Sequence, residues 1–428
     1  MKILPNNMYL LAGRLPVVLF GFFGLIGIYK LTKLLFDKKT AFIAALLFII
    51  SPFVLLYDRM ALFDGMLSAM LIWTVYFSLK SSKSGKVTDA VYWGIFMGLS
   101  FLSKPTAIIF LIFTPLCYLI YKLPLTKKKF KPSIIHILLA IGIGELLNNM
   151  QRVSKVYFMM DLKNQQFRQP LAQLISNPFA LTWGNLQGFF SWIVPYYTLP
   201  IFISGLIAFL ILFITKKKQA LVLFLLWFFP IFVLATAGRE IFPRYILFTA
   251  PYFFITLSTL ILNSIKVSKN ILVRVFIIII VGILFIPSVK FDYFLLTDPS
   301  NAPMPITDYN QYVSEHPSGY GLNTIFSYLD NETKNKKVTI VTEGTFGLYP
   351  YAFNLYYWNN KNVTIIPRWP LSFLDQEILD AAKTSKVYVI LKEKEKIPEG
   401  MPVTLILKAD KPGGKYPILL TTLSTLSP

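Results

Sequence analysis

The sequence predicts a polytopic α-helical membrane protein that ends in a smaller α/β domain. Three observations carry this. The 428 residues are 55% hydrophobic and only 15% charged, and the mean hydropathy is positive, well outside the range of ordinary soluble domains. Long apolar runs alternate with short Lys-rich connections. After Lys290 the pattern changes to short β-branched runs separated by helix-like segments.

A bilayer crossing takes about 20 mostly apolar residues. On that measure spans are predicted near 14–36, 41–57, 64–80, 88–103, 105–122, 133–149, 198–215, 219–237, 243–263 and 270–289. Alternating the connections gathers 18 Lys and Arg on one face, among them Lys30, Lys38, Lys83, Lys128, Lys217 and Lys269. Basic residues in short loops mark the cytoplasmic side. The net charge of +21 therefore reads as an orientation signal, and nucleic acid is not an expected partner, because all of the excess lies before Lys290. Ten spans in this orientation put both ends outside, which leads to the expectation that a further span precedes this chain.

Cys117 is the only cysteine, so no internal disulfide can form, and the two histidines, His136 and His316, are far apart. Any metal would need oxygen ligands. The span centres carry essentially no ionisable group, which disfavours an ion-coupled transporter or flippase. Charges gather instead at the outer span ends: Asp58, Arg59 and Asp64 in "YDRMALFDGML", then Lys104, Glu145, Arg239, Glu240 and Arg244. The aromatic run "FFSWIVPYY" (Phe189 to Tyr197) is expected to form an interfacial belt.

A Pro/Asn/Asp-rich linker, 290–310, separates the membrane domain, 1–289, from the α/β domain, 311–428. Strands are expected at 337–343, 363–367, 386–392, 403–409 and 417–423, with helices at 321–330, 346–357 and 374–384. "TEGTFGLYPY" follows a strand and opens a helix; it reads as a structural turn or, less readily, as an anion-binding turn.

Carboxylates, Lys and Arg at the outer boundary suit a substrate with an apolar tail and a phosphate-linked headgroup. Arg holds phosphate bidentately and Lys acts as a point charge. A carboxylate can take a proton from an attacking hydroxyl or, with phosphate oxygens, hold a divalent cation.

The order of several elements then resembles a family: Arg14-Leu15-Pro16 opening a span, Ser51-Pro52 before Arg59 and Asp64, Ser103-Lys104-Pro105, and "FPRYILFTAPY" from Phe242 to Tyr252. Over about residues 12–290 the chain resembles the GT-C membrane glycosyltransferases. The nearest groups are the dolichyl-phosphate-mannose protein mannosyltransferases and the bacterial aminoarabinose transferases. The resemblance implies transfer, with inversion, from a polyprenyl-phosphate sugar to an acceptor hydroxyl of a glycan, lipid or protein at the outer face of the plasma membrane. The α/β domain would then be extracytoplasmic.

By the same resemblance Asp64 is the second outer-loop acid, placed near the phosphate or a divalent cation such as Mg or Mn. Lys104 and Arg244, with Tyr245, meet the carrier phosphate, and Arg59 and Arg239 are further substrate-binding candidates. The family's first outer-loop Asp should lie upstream of Arg14, where this chain has no Asp or Glu. Asp58 is the substitute candidate for the base. Each residue also has a plainer reading: Asp64 as a helix N-cap, Asp58 as a partner for Arg59, Lys104 as a snorkelling side chain and Arg244 as an interface anchor. The rival to an enzyme is a noncatalytic lipid-linked-sugar binding or envelope-assembly protein.

Overall fold

The computed structural model describes residues 8–155, 157–334, 336–345 and 347–424. Arg14–Pro303 forms one compact unit, and Met304–Pro428 makes the body of a second.

The first unit is helical: α1 (Tyr9–Leu35), α2 (Lys38–Ile49), α3 (Pro52–Asp58), α4 (Phe63–Ser84), α5 (Val87–Ser103), α6 (Phe110–Lys122), α7 (Lys127–Met150), α8 (Tyr157–Phe167), α9 (Leu171–Ser176), α10 (Thr182–Tyr197), α11 (Leu199–Thr215), α12 (Lys217–Ala237), α13 (Ala250–Lys266) and α14 (Ile271–Thr297). The 3₁₀ segments Pro105–Ile109 and Pro243–Thr249 lead into α6 and α13. A helix stands at each of the ten expected spans. Among the described residues, six helices are long and apolar enough to cross a bilayer, or up to eight if two bent pairs each count as one span.

The two expected spans that fall outside that number have a physical reason. In α4 the buried residues include Ser68, Thr74, Ser78, Ser81 and Ser82, facing other helices rather than lipid. A helix enclosed by protein does not need an apolar surface all round. Several hydroxyls bond along the helix or across to a neighbour: Thr74 Oγ1 donates to Met70 O at 2.8 Å and Ser78 Oγ to Thr114 O at 2.9 Å, while Ser68 Oγ has no partner among the described residues. The other, α5, is only 17 residues long. It packs on α7 through Gly94 and Gly98, and side-chain-free positions let helices in a membrane approach closely.

Two expectations are corrected. The run Phe189–Tyr197 is no exposed belt, because Phe189, Ile193, Tyr196 and Tyr197 are buried. Tyr196 stacks on Phe291 at 5.5 Å and Tyr197 on Phe253 at 4.8 Å between ring centres, so these rings pack inside the bundle. The last span does not end at 289: α14 continues to Thr297 because Ser288, Phe291 and Leu295, at helical spacing, keep a buried face beyond Lys290. The residues between α7 and α11 are largely helical, in α8, α9 and α10.

The second unit contains α15 (Ile306–Tyr309), α16 (Leu322–Glu332), α17 (Leu348–Tyr356) and α18 (Gln376–Ala382) with strands β1 (Val338–Glu343), β2 (Val363–Arg368), β3 (Lys386–Leu391), β4 (Val403–Ala409) and β5 (Ile418–Leu423). All five strands fall where the β-branched runs predict them. Their order is β2-β1-β3-β5-β4. β1 runs parallel to β2 and β3, while β5 is antiparallel to β3 and β4. Apolar residues of α16 and α17 cover one face, where Phe326 stacks on Tyr356 at 4.0 Å. Ile378 of α18, with Leu371 and Met401, covers the other. Helices on both faces explain why β1 is buried along its whole length. The turn between β1 and α17 includes Phe346, which lies outside the described residues.

The α5–α7 contact is open to test. A Cβ on Gly94 would lie 2.7 Å from Ala140 O and 2.8 Å from Ile143 Cβ, whereas one on Gly142 would meet nothing within 4 Å. Thermal unfolding of the detergent-solubilised protein should show Gly94→Ala destabilised by about 1–3 kcal/mol. Gly142→Ala should stay within about 0.5 kcal/mol of the parent.

Candidate functional site

Three X-Pro steps shape the site. Proline has no N–H and pushes its predecessor to extended backbone, so it ends one helix and starts another. Ser51, Lys104 and Phe242 are extended at ψ 115°, 139° and 152°, and Pro52, Pro105 and Pro243 open the following helical turns. The second step places Lys104 between α5 and the turn Pro105–Ile109. The third places Arg244 and Tyr245 in the first turn of Pro243–Thr249.

These elements converge on Asp64. Lys104 Nζ donates to Asp64 Oδ1 at 2.5 Å, with the Asp64 side chain 5% exposed and that of Lys104 21%. The same ammonium lies 4.3 Å from the centre of the Tyr245 ring. Arg244 Cζ sits 4.4 Å from the Phe242 ring and 5.5 Å from the Tyr245 ring. Both cations are thus held against aromatic faces, an attraction that grows as water is excluded. Asp64 lies in the first turn of α4, where the helix dipole also favours its negative charge.

Asp58 reaches this place from the end of α3. Its carboxylate sits between Gly21 of α1 and Gly65 of α4: a Cβ on Gly21 would be 2.7 Å from Oδ2, and one on Gly65 would be 2.5 Å from Oδ1. Both glycines are required by this close approach, and Gly65 follows Asp64 directly. Asp64, Lys104, Tyr245 and Arg244 are therefore linked by successive contacts, and Asp58 lies against Gly65, the residue after Asp64.

The other sequence candidates lie elsewhere or play another part. Arg59 Nη1 donates to Leu295 O, which fastens α3 to the end of α14. Arg239 is exposed, and its backbone N–H bonds Phe167 O at 2.9 Å beside the Arg168–Gly238 bridge. Glu240 is exposed too, and Glu145 accepts from Asn148 and Asn149 of its own helix at 3.2 and 3.4 Å. Asp64 is not an N-cap: Leu62 holds that position, and the Asp64 carboxylate reaches across to Lys104 instead.

Asp292 lies on α14, three residues beyond the last span that the sequence predicts. It stands one turn before Leu295, which Arg59 bonds, and its Oδ1 is buried without a hydrogen-bond partner among the described residues. The apolar residues "FDYFLL" after Lys290 were the available signal.

A divalent cation does not fit what Asp64 offers. Its carboxylate is bonded to an ammonium, and no group of three or more His, Cys, Asp or Glu converges among the described residues. No step is assigned to a metal here.

The buried ion pair makes a direct prediction. Lys104→Met leaves the Asp64 carboxylate enclosed without a counter-charge, and breaking such a pair costs about 3–5 kcal/mol. Thermal unfolding should show that loss in the single variant and much less of it in the Asp64→Asn/Lys104→Met double variant. Additive losses would mean that the two side chains do not interact.

Residues 2–145 match the family of dolichyl-phosphate-mannose-protein mannosyltransferases. No curated protein sequence matches the chain. The crystal structure of ArnT from Cupriavidus metallidurans bound to undecaprenyl phosphate is similar at a TM-score of 0.53 and 11% identity, over 97% of this chain and 85% of that one. Apo ArnT from the same organism gives 0.51 and 11% over 97% and 84%. The Archaeoglobus fulgidus oligosaccharyltransferase tethered to an acceptor peptide gives 0.49 and 13% over 89% and 57%, and the fold assignment rests on ArnT. The chain thus shares the fold of ArnT, and its first third carries the match to the protein mannosyltransferase family.

Proposed function

We propose that this protein transfers a sugar from a polyprenyl-phosphate donor to an acceptor hydroxyl at the outer face of the membrane, with inversion at the anomeric carbon. The observation that carries the reading is the pair of cations, Lys104 and Arg244, set around Tyr245 and anchored by buried Asp64 at the ends of membrane helices. A lipid phosphate presents its charge at this depth while its tail stays among apolar helices. Support comes from the ArnT fold, whose crystal structure holds undecaprenyl phosphate.

In the proposed reaction the acceptor oxygen bonds to the anomeric carbon as the bond from that carbon to the phosphate oxygen breaks. The electron pair leaves with the phosphate, where Lys104 and Arg244 stabilise the growing charge; such preorganised charge is a major source of catalysis. Asp64 positions Lys104. Asp58, held between Gly21 and Gly65, takes the proton from the acceptor hydroxyl. Lys-rich loops on the opposite side support the outer placement of this site and of the α/β domain. The sugar and the acceptor are set by groups beyond this constellation.

The test uses the full chain in proteoliposomes with a labelled polyprenyl-phosphate sugar. Transfer should fall at least about 100-fold in Lys104→Met and Arg244→Ala, in keeping with the loss of a charge-stabilising group. Asp58→Asn should lower turnover by about 100-fold or more while polyprenyl-phosphate binding persists. Full activity in Asp64→Ala would remove that residue from the mechanism. Donor binding with no transfer under any acceptor condition would favour the noncatalytic binding protein.

A further inference from the structure

The second unit concentrates chemistry at one edge of its sheet. The order β2-β1-β3 puts the strands that follow β1 on either side of it, with α17 on one face and α18 on the other. Ligands of open α/β sheets bind at such a switch point, outside the carboxyl ends of the strands. Here those ends carry Glu343 on β1, Trp369 after β2, and Lys392 and Glu393 after β3.

These groups form one network. Glu343, 2% exposed, accepts the backbone N–H groups of Lys392 and Glu393 at 2.7 and 2.8 Å. Lys392 Nζ donates to one Glu393 oxygen at 2.5 Å, and Trp369 Nε1 donates to the other at 3.2 Å. Lys411, also buried, donates to Glu315 O at 2.9 Å; burial and then the Lys392 charge push it down to about 8. Buried charges add little net stability, and their concentration in one crevice is a mark of function.

The Trp369 ring stays 63% exposed while its N–H is committed to Glu393. It offers solvent a flat apolar face beside a carboxylate fixed through both oxygens. Lys392 is already matched by Glu393, and Lys411 is committed to the Glu315 carbonyl. The complement to an apolar face beside fixed polar groups is a pyranose, which has C–H groups on one face and hydroxyls at its rim. We propose that the carboxyl-end crevice of β1 and β3 is a glycan-binding site, with one sugar ring stacked on Trp369 and its hydroxyls bonded to Glu393 and Lys392. This proposal does not depend on the transfer reaction.

The test is saturation-transfer NMR on the full chain in nanodiscs, titrated separately with maltohexaose, cellohexaose, mannohexaose and ATP. At least one oligosaccharide should bind with saturation of its ring C–H protons. Trp369→Ala should weaken that binding roughly tenfold or more, the loss of an aromatic contact. Trp369→Phe should retain it, as should Trp358→Ala, which removes another exposed indole. Asp64→Ala should bind the oligosaccharide normally, so failure of transfer and failure of this site are read independently. Absence of binding by all three oligosaccharides, equal binding by Trp369→Ala, or Trp369-dependent binding of ATP alone would overturn the proposal.

Discussion

The ion pair between Lys104 and Asp64 is the contact around which the end of the helical unit is arranged. Taking an ammonium and a carboxylate out of water costs several kcal/mol for each ion, and their mutual attraction offsets this only with good geometry. The fold supplies that geometry. Pro105 keeps Lys104 extended between two helical segments, the start of α4 presents Asp64, and Tyr245 lays a ring beneath the ammonium. Close contact also reaches Asp58, which fits only because Gly21 and Gly65 have no side chains.

Polarity inside the helical unit follows from the same accounting of solvent. Thr74 and Ser78 on α4 turn toward neighbouring helices and close their bonds on a carbonyl one turn away or across the contact. The lipid-facing demand therefore falls on the outer helices. α14 is the clearest example, with only 6% of its most apolar window buried. The lipid-facing stretch of such a helix must be apolar, whereas an enclosed helix such as α4 is free to carry the polar groups that a site requires.

Much of this was legible in the residues. Apolar runs gave the helix positions, and β-branched runs gave the five strands, because burial on both sheet faces demands continuous hydrophobicity. Ser-Lys-Pro and Phe-Pro-Arg marked two breaks between helical segments, because proline acts on its neighbour locally. Arg59 was not legible: its sequence neighbourhood with Asp58 suggested a shared role, yet its side chain turns to the Leu295 carbonyl. Asp292 was missed for a related reason, since a lone Lys290 looked like the end of a span. The helix continued because Phe291 and Leu295 have partners far away in sequence.

Sequence alone determined the membrane class and the alternation of strands and helices at the carboxyl end. Those properties depend on transfer from water and on backbone preference, which act residue by residue. Tertiary structure decided which charges meet: Asp64 with Lys104 across forty positions, Asp58 against Gly21 and Gly65, and Trp369 with Glu393. A charge near an interface has many partners available, and only helix packing and strand order select one by bringing it within hydrogen-bond distance while excluding water.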